Sequence, residues 1–253
     1  MAICELKYFS KSLEKMIAAN LILPNPDIPG PFAVFYLLHG LSDDHTAWMR
    51  RTNIERYVEG LPLIVVMPDT GRGWYTDEAA GMAWESSIIK DLLPYIDKMF
   101  PTRANREGRC IGGLSMGGYG AVKLALKFPD LFCSGVSHSG ALGRGHDTIP
   151  QDGTEWNVFM TRVFGPNPQG GENDIFALAE KLEPSNRPAI RIDCGVDDFL
   201  LWDNQQCHKH LLAIGYEHEY AEFPGEHNWA YWDIHVQEAI AFHCKNLGIT
   251  PTK

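Results

Sequence analysis

The amino-acid sequence predicts an α/β fold in which a mostly parallel central sheet has helices on both faces. Apolar runs such as residues 32–38 alternate along the chain with segments of helical periodicity. A short apolar run bounded by glycines, within residues 108–114, is typical of a buried parallel strand. At 253 residues the chain has the length of one large domain, so we expect a single domain over residues 1–253.

The predicted elements follow one another in the order that this fold class needs. Residues 3–9 and 15–23 are expected to form two opening strands at an antiparallel edge. Residues 86–99 carry apolar side chains at helical spacing and are followed by Pro101, so they predict a helix. The other predicted strands are 32–38, 62–67, 108–114, 131–137, 189–195 and 216–223, and the other predicted helices are 53–59, 118–128, 202–213 and 231–246.

Residues 143–188 interrupt this alternation. The segment is rich in Gly, Pro, Asn and Asp, and its two apolar clusters are residues 156–160 and 175–178. We expect it to be a small helical, cap-like insertion over the carboxyl edge of the sheet, where ligands bind in open α/β sheets.

Residues 113–117 have the pattern G-x-S-x-G, with Ser115 at the centre. A predicted strand precedes the pattern and a predicted helix follows it, which is the context of a nucleophile elbow. On this turn the serine hydroxyl projects above the sheet, and the two glycines let the chain arms pass closely. Ser115 is therefore the candidate nucleophile, and a glycine-rich turn with an incidental serine is the alternative.

A serine nucleophile needs a base and an acid that orients it. In this architecture the acid and then the base follow the serine along the chain, each on a loop after a later strand. His227 lies on the loop between predicted strand 216–223 and predicted helix 231–246, so it is the candidate base. The other histidines precede the acid position (His39, His45, His138, His146) or lie inside predicted elements (His208, His210, His218, His235, His243).

The candidate acid lies after predicted strand 189–195. Asp193 is inside that strand, whereas Asp197 and Asp198 are adjacent in the following loop and point in different directions. These residues alone leave the choice between Asp197 and Asp198 open.

Three motifs resemble the Putative esterase family of the α/β-hydrolase fold: Leu-Ser-Met-Gly-Gly-Tyr-Gly at 114–120, Gly-Val-Asp-Asp-Phe-Leu at 195–200 and Gly-Glu-His-Asn-Trp at 225–229. The family includes esterase D type enzymes, tributyrin esterases, feruloyl and acetylxylan esterases, and mycolyltransferases. The resemblance covers roughly residues 5–245. It implies Asp198 as the acid, since that residue precedes the Phe-Leu pair, with Asp197 as second choice.

Two backbone N–H groups are needed for an oxyanion hole. Met116 follows the nucleophile and supplies one of them. The loop after strand 32–38 begins His39-Gly40-Leu41, which resembles the family's oxyanion loop and implies the Leu41 N–H as the other donor. The resemblance gives His39 a supporting role without proton transfer, and a plain strand-ending turn is the alternative.

The expected function is a serine carboxylesterase that hydrolyses short-chain acyl esters. The alternatives are an S-formylglutathione hydrolase and a carbohydrate esterase of the feruloyl or acetylxylan type. Residues 38–43 read Leu-His-Gly-Leu-Ser-Asp where the glutathione enzyme is expected to have Leu-Ser-Gly-Leu-Thr-Cys. A catalytically inactive binding scaffold is a further alternative, but no member of the catalytic set is missing. Trp48 and Trp229 are expected to line the substrate pocket, with packing beneath the loops as the alternative.

Composition restricts the partners. A formal net charge of −10 argues against nucleic acid and against an anionic membrane. Acids and lysines break every apolar run in residues 1–23, and no run reaches the ~18 apolar residues of a membrane span. The six cysteines are scattered, so we expect a reduced, cytoplasmic protein. We expect a small-molecule ester as partner and no cofactor. We also expect no metal site, because the side chains of His208 and His210 diverge on a helix. The sequence leaves open whether the protein forms a homo-oligomer.

Overall fold

In the computed structural model, which describes residues 1–250, eight strands form one sheet. The sequence-predicted strands are all present, and their ends shift by no more than a few residues. The strands are β1 (Ala2–Ser10), β2 (Lys15–Leu23), β3 (Ala33–Leu38), β4 (Leu63–Pro68), β5 (Arg109–Leu114), β6 (Ser134–His138), β7 (Ala189–Gly195) and β8 (His218–Phe223).

The strands lie in the order β1-β2-β4-β3-β5-β6-β7-β8. β1 pairs with β2, and β2 with β4, in antiparallel register, whereas every pairing from β4 across to β8 is parallel. The chain runs from β3 outward to β4 and then returns to the other side of β3 as β5. This reversal opens a crevice between the carboxyl ends of β3 and β5, where ligands bind in open α/β sheets.

The helices cover both faces of this sheet. The longer ones agree with the sequence prediction, but a short helix at 47–51 was missed and a π-helical turn (Ser87–Leu92) interrupts the predicted helix 86–99. The α-helices are α1 (Ala47–Arg51), α2 (Ile54–Tyr57), α3 (Trp84–Ser86), α4 (Leu93–Met99), α5 (Met116–Lys127), α6 (Glu155–Phe164), α7 (Ile175–Lys181), α8 (Leu201–Ala213) and α9 (Trp229–Leu247), and there are 3₁₀ turns at Arg106–Gly108 and Pro184–Asn186.

Two hydrophobic cores lie on opposite faces of the sheet. Successive side chains of a strand point to opposite faces, so Tyr36 and Leu38 of β3 enter one core while Phe35 and Leu37 enter the other. The first core contains the buried side of α5, and the second contains that of α9. All residues of β3, β4 and β5 are buried, which explains their high content of apolar and small side chains.

The segment 143–188 carries α6 and α7. Thr154 caps α6 by accepting a hydrogen bond from Asn157 N–H, and Asp174 caps α7. Val163 and Phe164 of α6 are buried in the first core. That this segment acts as a cap on a single domain stays a prediction.

Within residues 1–250, no helix is both long and apolar enough to cross a membrane.

Candidate active site

Ser115 lies on a sharp turn between β5 and α5. Its backbone has φ 54° and ψ −117°, a conformation that costs a non-glycine residue about 1–3 kcal/mol. An ideal Cβ at Gly113 would lie 2.7 Å from the carbonyl carbon of Gly117, so a side chain at Gly113 would collide with the start of the helix. The geometry is that of the predicted elbow, and it explains why glycine occupies position 113.

The structure brings Ser115, His227 and Asp198 together although they come from three different loops. Ser115 Oγ lies 3.0 Å from His227 Nε2, and His227 Nδ1 lies 2.8 Å and 3.0 Å from the two carboxylate oxygens of Asp198. Because a carboxylate only accepts hydrogen bonds, Nδ1 carries the proton and donates it. Nε2 is then free to accept the hydroxyl proton of Ser115.

Asp198 and Asp197 have different surroundings. Asp198 is buried and also accepts a hydrogen bond from Leu200 N–H at 2.8 Å, whereas Asp197 is exposed. Burial alone would raise the pKa of Asp198, but hydrogen bonds from His227, the Leu200 N–H and Ser139 hold that pKa below its ordinary value. Asp198 is therefore the ionised acid in contact with the imidazole.

Two aromatic rings flank the imidazole of His227. The Trp232 ring stands perpendicular to it at a centroid distance of 4.9 Å, and the Phe199 ring lies at 4.5 Å, tilted by 49°. Trp232 is buried, whereas 76% of Phe199 is exposed. The imidazole is thus held between a buried ring and one that faces solvent.

Ser139 was not identified from the sequence. It is fully buried at the end of β6, has φ 48°, and its Oγ accepts a hydrogen bond from Trp232 Nε1–H at 3.2 Å. Its hydroxyl also helps to lower the pKa of the Asp198 carboxyl. Its position in the sequence could have identified Ser139. It directly follows β6, the neighbour of β5, and residues that follow neighbouring parallel strands lie at the same edge of the sheet.

The loop after β3 lies directly against the nucleophile. An ideal Cβ at Gly40 would be only 3.9 Å from Ser115 Cβ. Gly40, the residue before Leu41, therefore lies beside Ser115, and the assignment of the Leu41 N–H as an oxyanion donor stays a prediction. Met116 is the first residue of α5, so its N–H has no acceptor within the helix and lies at the positive end of the helix dipole.

His39 supports this loop from below. Its Nδ1–H donates to Gly40 O at 2.7 Å, and its Nε2 accepts from Thr70 N–H at 3.1 Å. Both ring nitrogens are thereby used by the neutral imidazole, and burial lowers the pKa of His39. The geometry agrees with a supporting residue that transfers no proton.

A second layer beneath His39 contains a buried charge pair. Tyr75 donates its hydroxyl to His39 O at 2.8 Å and has φ 54°. Lys123 donates to Tyr75 O and pairs with Glu85, which also pairs with Lys127 at 2.7 Å. Burial lowers the pKa of Lys123 to about 8, against the opposing effect of Glu85. This cluster holds the strained backbone of Tyr75, whose hydroxyl contacts the loop after β3.

The two tryptophans predicted to line the pocket differ. Trp48 is 1% exposed and donates its indole N–H to Leu38 O at 3.0 Å, so its ring packs in the core, and its contact with a substrate stays a prediction. Its ring packs perpendicular to Trp229 at 5.3 Å. Trp229 is partly exposed at the start of α9, close to His227 in the chain.

A second histidine–aspartate pair lies deeper in the sheet. His138 Nδ1 is 2.9 Å from both carboxylate oxygens of Asp193, and Tyr231 donates its hydroxyl to the same carboxylate at 3.1 Å. Both members of the pair are buried, and His138 Nε2 has no hydrogen-bond partner. Within residues 1–250 no serine hydroxyl is hydrogen-bonded to either ring nitrogen of His138, so the pair offers no competing nucleophile.

Similarity to known proteins agrees with this geometry. The family model described as Putative esterase matches residues 10–243. The chain belongs to this family. An acetyl esterase of Caldicellulosiruptor saccharolyticus is 30% identical, and the similarity covers 97% of this chain and 99% of that protein. Esterase Rv1288 of Mycobacterium tuberculosis is 41% identical over 78% of this chain, which corresponds to 48% of its own length.

Two solved structures from Staphylococcus aureus share the fold. FphF, a fluorophosphonate-binding serine hydrolase, is 32% identical with a TM-score of 0.85 and covers 96% of this chain and 98% of its own. The S-formylglutathione hydrolase FrmB is 31% identical with a TM-score of 0.82 and the same coverage. These similarities support esterase activity within an α/β family of hydrolases.

Proposed function

We propose that this protein is a serine carboxylesterase that hydrolyses short-chain acyl esters through an acyl-enzyme intermediate. The single observation that carries the proposal is the hydrogen-bonded chain from Ser115 Oγ through His227 to Asp198, at 3.0 Å and 2.8 Å. A serine on a strained elbow, a base within hydrogen-bond distance and a buried carboxylate behind the base are the parts that nucleophilic acyl transfer needs.

In the acylation step, Ser115 Oγ attacks the ester carbonyl carbon while His227 Nε2 accepts the hydroxyl proton. The carbonyl oxygen becomes an oxyanion, which the N–H groups of Leu41 and Met116 stabilise; one such donor is typically worth about 3–4 kcal/mol of barrier. The carbon–oxygen bond to the alcohol then breaks, and His227 returns its proton to the departing alkoxide. Asp198 stabilises the imidazolium in between.

In the deacylation step, water takes the place of the alcohol. His227 removes a proton from this water as it attacks the acyl carbon, and the same two N–H groups stabilise the second oxyanion. The bond to Ser115 breaks, Ser115 Oγ recovers its proton from His227, and the carboxylic acid leaves. The net reaction is hydrolysis of the ester to an acid and an alcohol, with water as the only other reactant.

Support for short acyl chains comes from the residues around the nucleophile and from a relative. The two proposed oxyanion donors, Leu41 and Met116, carry bulky side chains, and Met116 is fully buried. The chain also matches the acetyl esterase from Caldicellulosiruptor along nearly its whole length. Both observations favour small acyl groups.

A thioesterase acting on S-formylglutathione is the second candidate, favoured by the likeness to FrmB. The same machinery cleaves thioesters, since only the leaving atom changes. Against it stands the departure at residues 38–43. A carbohydrate esterase is a third candidate, because the chain is 31% identical to a xylanase/feruloyl esterase of Xylanibacter ruminicola over 78% of this chain and 29% of that protein.

The test of the proposal uses Ser115→Ala. Wild type is expected to hydrolyse p-nitrophenyl acetate and to be labelled by a fluorophosphonate, whereas the variant does neither and keeps its far-UV circular dichroism. Peptide mapping of the labelled wild type should give Ser115. Label on Ser137 or Ser139, which are both fully buried, would overturn the assignment. Formyl-thioester and feruloyl-sugar substrates in the same assay separate the three candidates.

We further propose that the protein resides in the cytoplasm. All six cysteines are unpaired, and Cys110, Cys194 and Cys207 are buried as small apolar side chains. Fractionation of the cells that make the protein, followed by immunoblotting, tests this proposal.

A further inference from the structure

Two aromatic side chains at the start of α8 are unusually exposed. Phe199 is 76% exposed and Trp202 is 66% exposed, and they are three residues apart in the chain. We name them the 199/202 aromatic pair. Single exposed apolar residues are common, but two large rings beside a candidate active site call for an explanation, because leaving them in water lowers stability.

Phe199 touches the proposed base. Its ring lies 4.5 Å from the imidazole of His227, which is within the range of an aromatic contact. Trp232, on another side of the imidazole, is 5% exposed. Of the two rings that flank His227, Phe199 is thus the one that faces the solvent from which an ester must approach.

The proposed chemistry places the departing alcohol next to this ring. His227 Nε2 gives its proton to the alcohol oxygen, so that oxygen lies within about 3 Å of Nε2 at the moment of transfer. The first carbons of the alcohol then extend from this point toward solvent. Phe199 is the solvent-facing ring against this imidazole, so it is the ring that carbons extending toward solvent can meet.

We propose that the 199/202 aromatic pair is a binding platform for the alcohol part of the ester, and that it selects alcohols with a ring face close to the ester oxygen. The inference rests on the proposed function and adds to it the leaving-group preference. Phe199 contacts the first ring, and Trp202, three residues further along the chain, is the second exposed ring at this end of α8.

Trp202 also borders open space. Its indole lines a cleft of about 860 Å³ between the 143–180 segment and α8, and none of Ser115, Phe199 and His227 is among the residues that line this cleft. Lys209, seven residues further along α8, places its ammonium 5.5 Å from the centroid of the Trp202 ring. This cation–π contact orients the indole while most of its surface stays open.

The experiment compares acetate esters that share one acyl group and differ in the alcohol. Wild type and Phe199→Ala are assayed with methyl, benzyl and cyclohexylmethyl acetate, and with methyl 6-O-acetylglucoside. Phe199→Ala is expected to lower kcat/KM for the preferred ring-bearing esters about tenfold more than it lowers kcat/KM for methyl acetate. Comparison of benzyl acetate with methyl 6-O-acetylglucoside shows whether the preferred ring is an aryl group or a sugar.

The deacylation rate separates this role from a structural one. All these esters give the same acetyl-enzyme after the alcohol has left, so a platform for the alcohol leaves the deacylation rate unchanged. Phe199→Tyr, which keeps the ring, should show the wild-type ratio of kcat/KM for ring-bearing esters to kcat/KM for methyl acetate. Trp202→Ala should lower this ratio, as Phe199→Ala does. Leu212→Ala, at an exposed apolar side chain near the other end of α8, is the matched control.

Two outcomes would overturn the platform. An equal loss for methyl and ring-bearing esters would mean that Phe199 only positions His227, and an unchanged ratio would mean that the pair does not touch the alcohol. Absence of turnover in wild type would instead count against the proposed function. In that case the Ser115→Ala protein gives an independent readout, since its binding of benzyl acetate, measured by ligand-observed NMR, must weaken on Phe199→Ala if the platform exists.

Discussion

Trp232 donates its indole N–H to Ser139 Oγ at 3.2 Å, and the same indole stands perpendicular to the imidazole of His227. Ser139 in turn helps to lower the pKa of the Asp198 carboxyl. One buried tryptophan therefore touches the proposed base directly and the proposed acid through a single serine. The orientation of the acid–base pair depends on this contact as well as on the hydrogen bonds between the two residues.

Removing the Ser139 hydroxyl should weaken catalysis without unfolding the protein. Ser139→Ala removes a hydroxyl that helps to hold the pKa of Asp198 down and leaves the Trp232 N–H unpaired in the core, so we expect kcat to fall about tenfold with little change in KM. Steady-state kinetics with p-nitrophenyl acetate measure this. Ser137→Ala is the control, because Ser137 Oγ is equally buried but has no hydrogen-bond partner. Equal effects of the two variants would contradict the prediction.

Substitution of the two adjacent acids should give unequal results. Asp198→Asn removes the carboxylate that fixes the tautomer of His227, and a loss of roughly 10²–10⁴ in kcat is expected. Asp197→Asn changes an exposed side chain and should cost little. Kinetics on both variants, with thermal unfolding as a check on folding, decide the matter. If Asp197→Asn has the larger effect, the acid is assigned wrongly by one residue.

Activity should be highest with short acyl chains. Each further buried methylene contributes only about 0.8 kcal/mol, and this gain ends when the pocket is full. We expect kcat/KM to be highest for acetyl to butyryl esters and to fall beyond about eight carbons, without interfacial activation. A series of p-nitrophenyl esters provides the profile. A maximum at palmitate would mean that residues 143–188 form a lipid-binding lid.

The buried lysine predicts a pH dependence of stability. The pKa of Lys123 is lowered by burial from 10.5 to about 8 in the folded protein. Between these pH values the unfolded chain holds a proton that the folded protein has released, so the contribution of Lys123 to the free energy of unfolding rises with pH across this window. We expect wild type to gain stability relative to Lys123→Met from pH 8 to pH 10.

Urea unfolding at pH 7, 8, 9 and 10 measures this difference. Lys127 still pairs with Glu85 in Lys123→Met, so the remaining carboxylate keeps a partner and the variant is expected to fold. Lys98→Met, at an exposed position, serves as the control and should show no such gain. A wild-type stability that does not rise relative to Lys123→Met would show that Lys123 stays protonated throughout.

Local patterns in the sequence predict most of the fold. β3 and β5 are short apolar or glycine-bounded runs because both faces of each strand are buried, and α5 begins where G-x-S-x-G places it. The π-helical turn at Ser87–Leu92 was not predicted, since a single inserted residue hardly changes apolar spacing. Helix α1 has five residues, too few to produce a periodicity.

The parts of the site that sequence reasoning missed depend on distant contacts. Trp48 carries the same aromatic signal as Trp229, but only the packing of α1 against β3 decides that its ring is buried. Ser139 and Trp232 are 93 residues apart and meet only because β6 and α9 pack together. No local periodicity carries that information, whereas the order of Ser115, Asp198 and His227 along the chain does follow from topology.

The contact of Gly117 with the end of β3 limits how this site can change. An ideal Cβ at Gly117 would lie 2.5 Å from Leu38 O and 2.6 Å from His39 O, so the helix after the proposed nucleophile and the loop with the proposed oxyanion donor pack backbone to backbone. No side chain fits between these two segments. We therefore expect adaptation to new esters to come from side chains at the periphery of the site, while glycine at position 117 is kept.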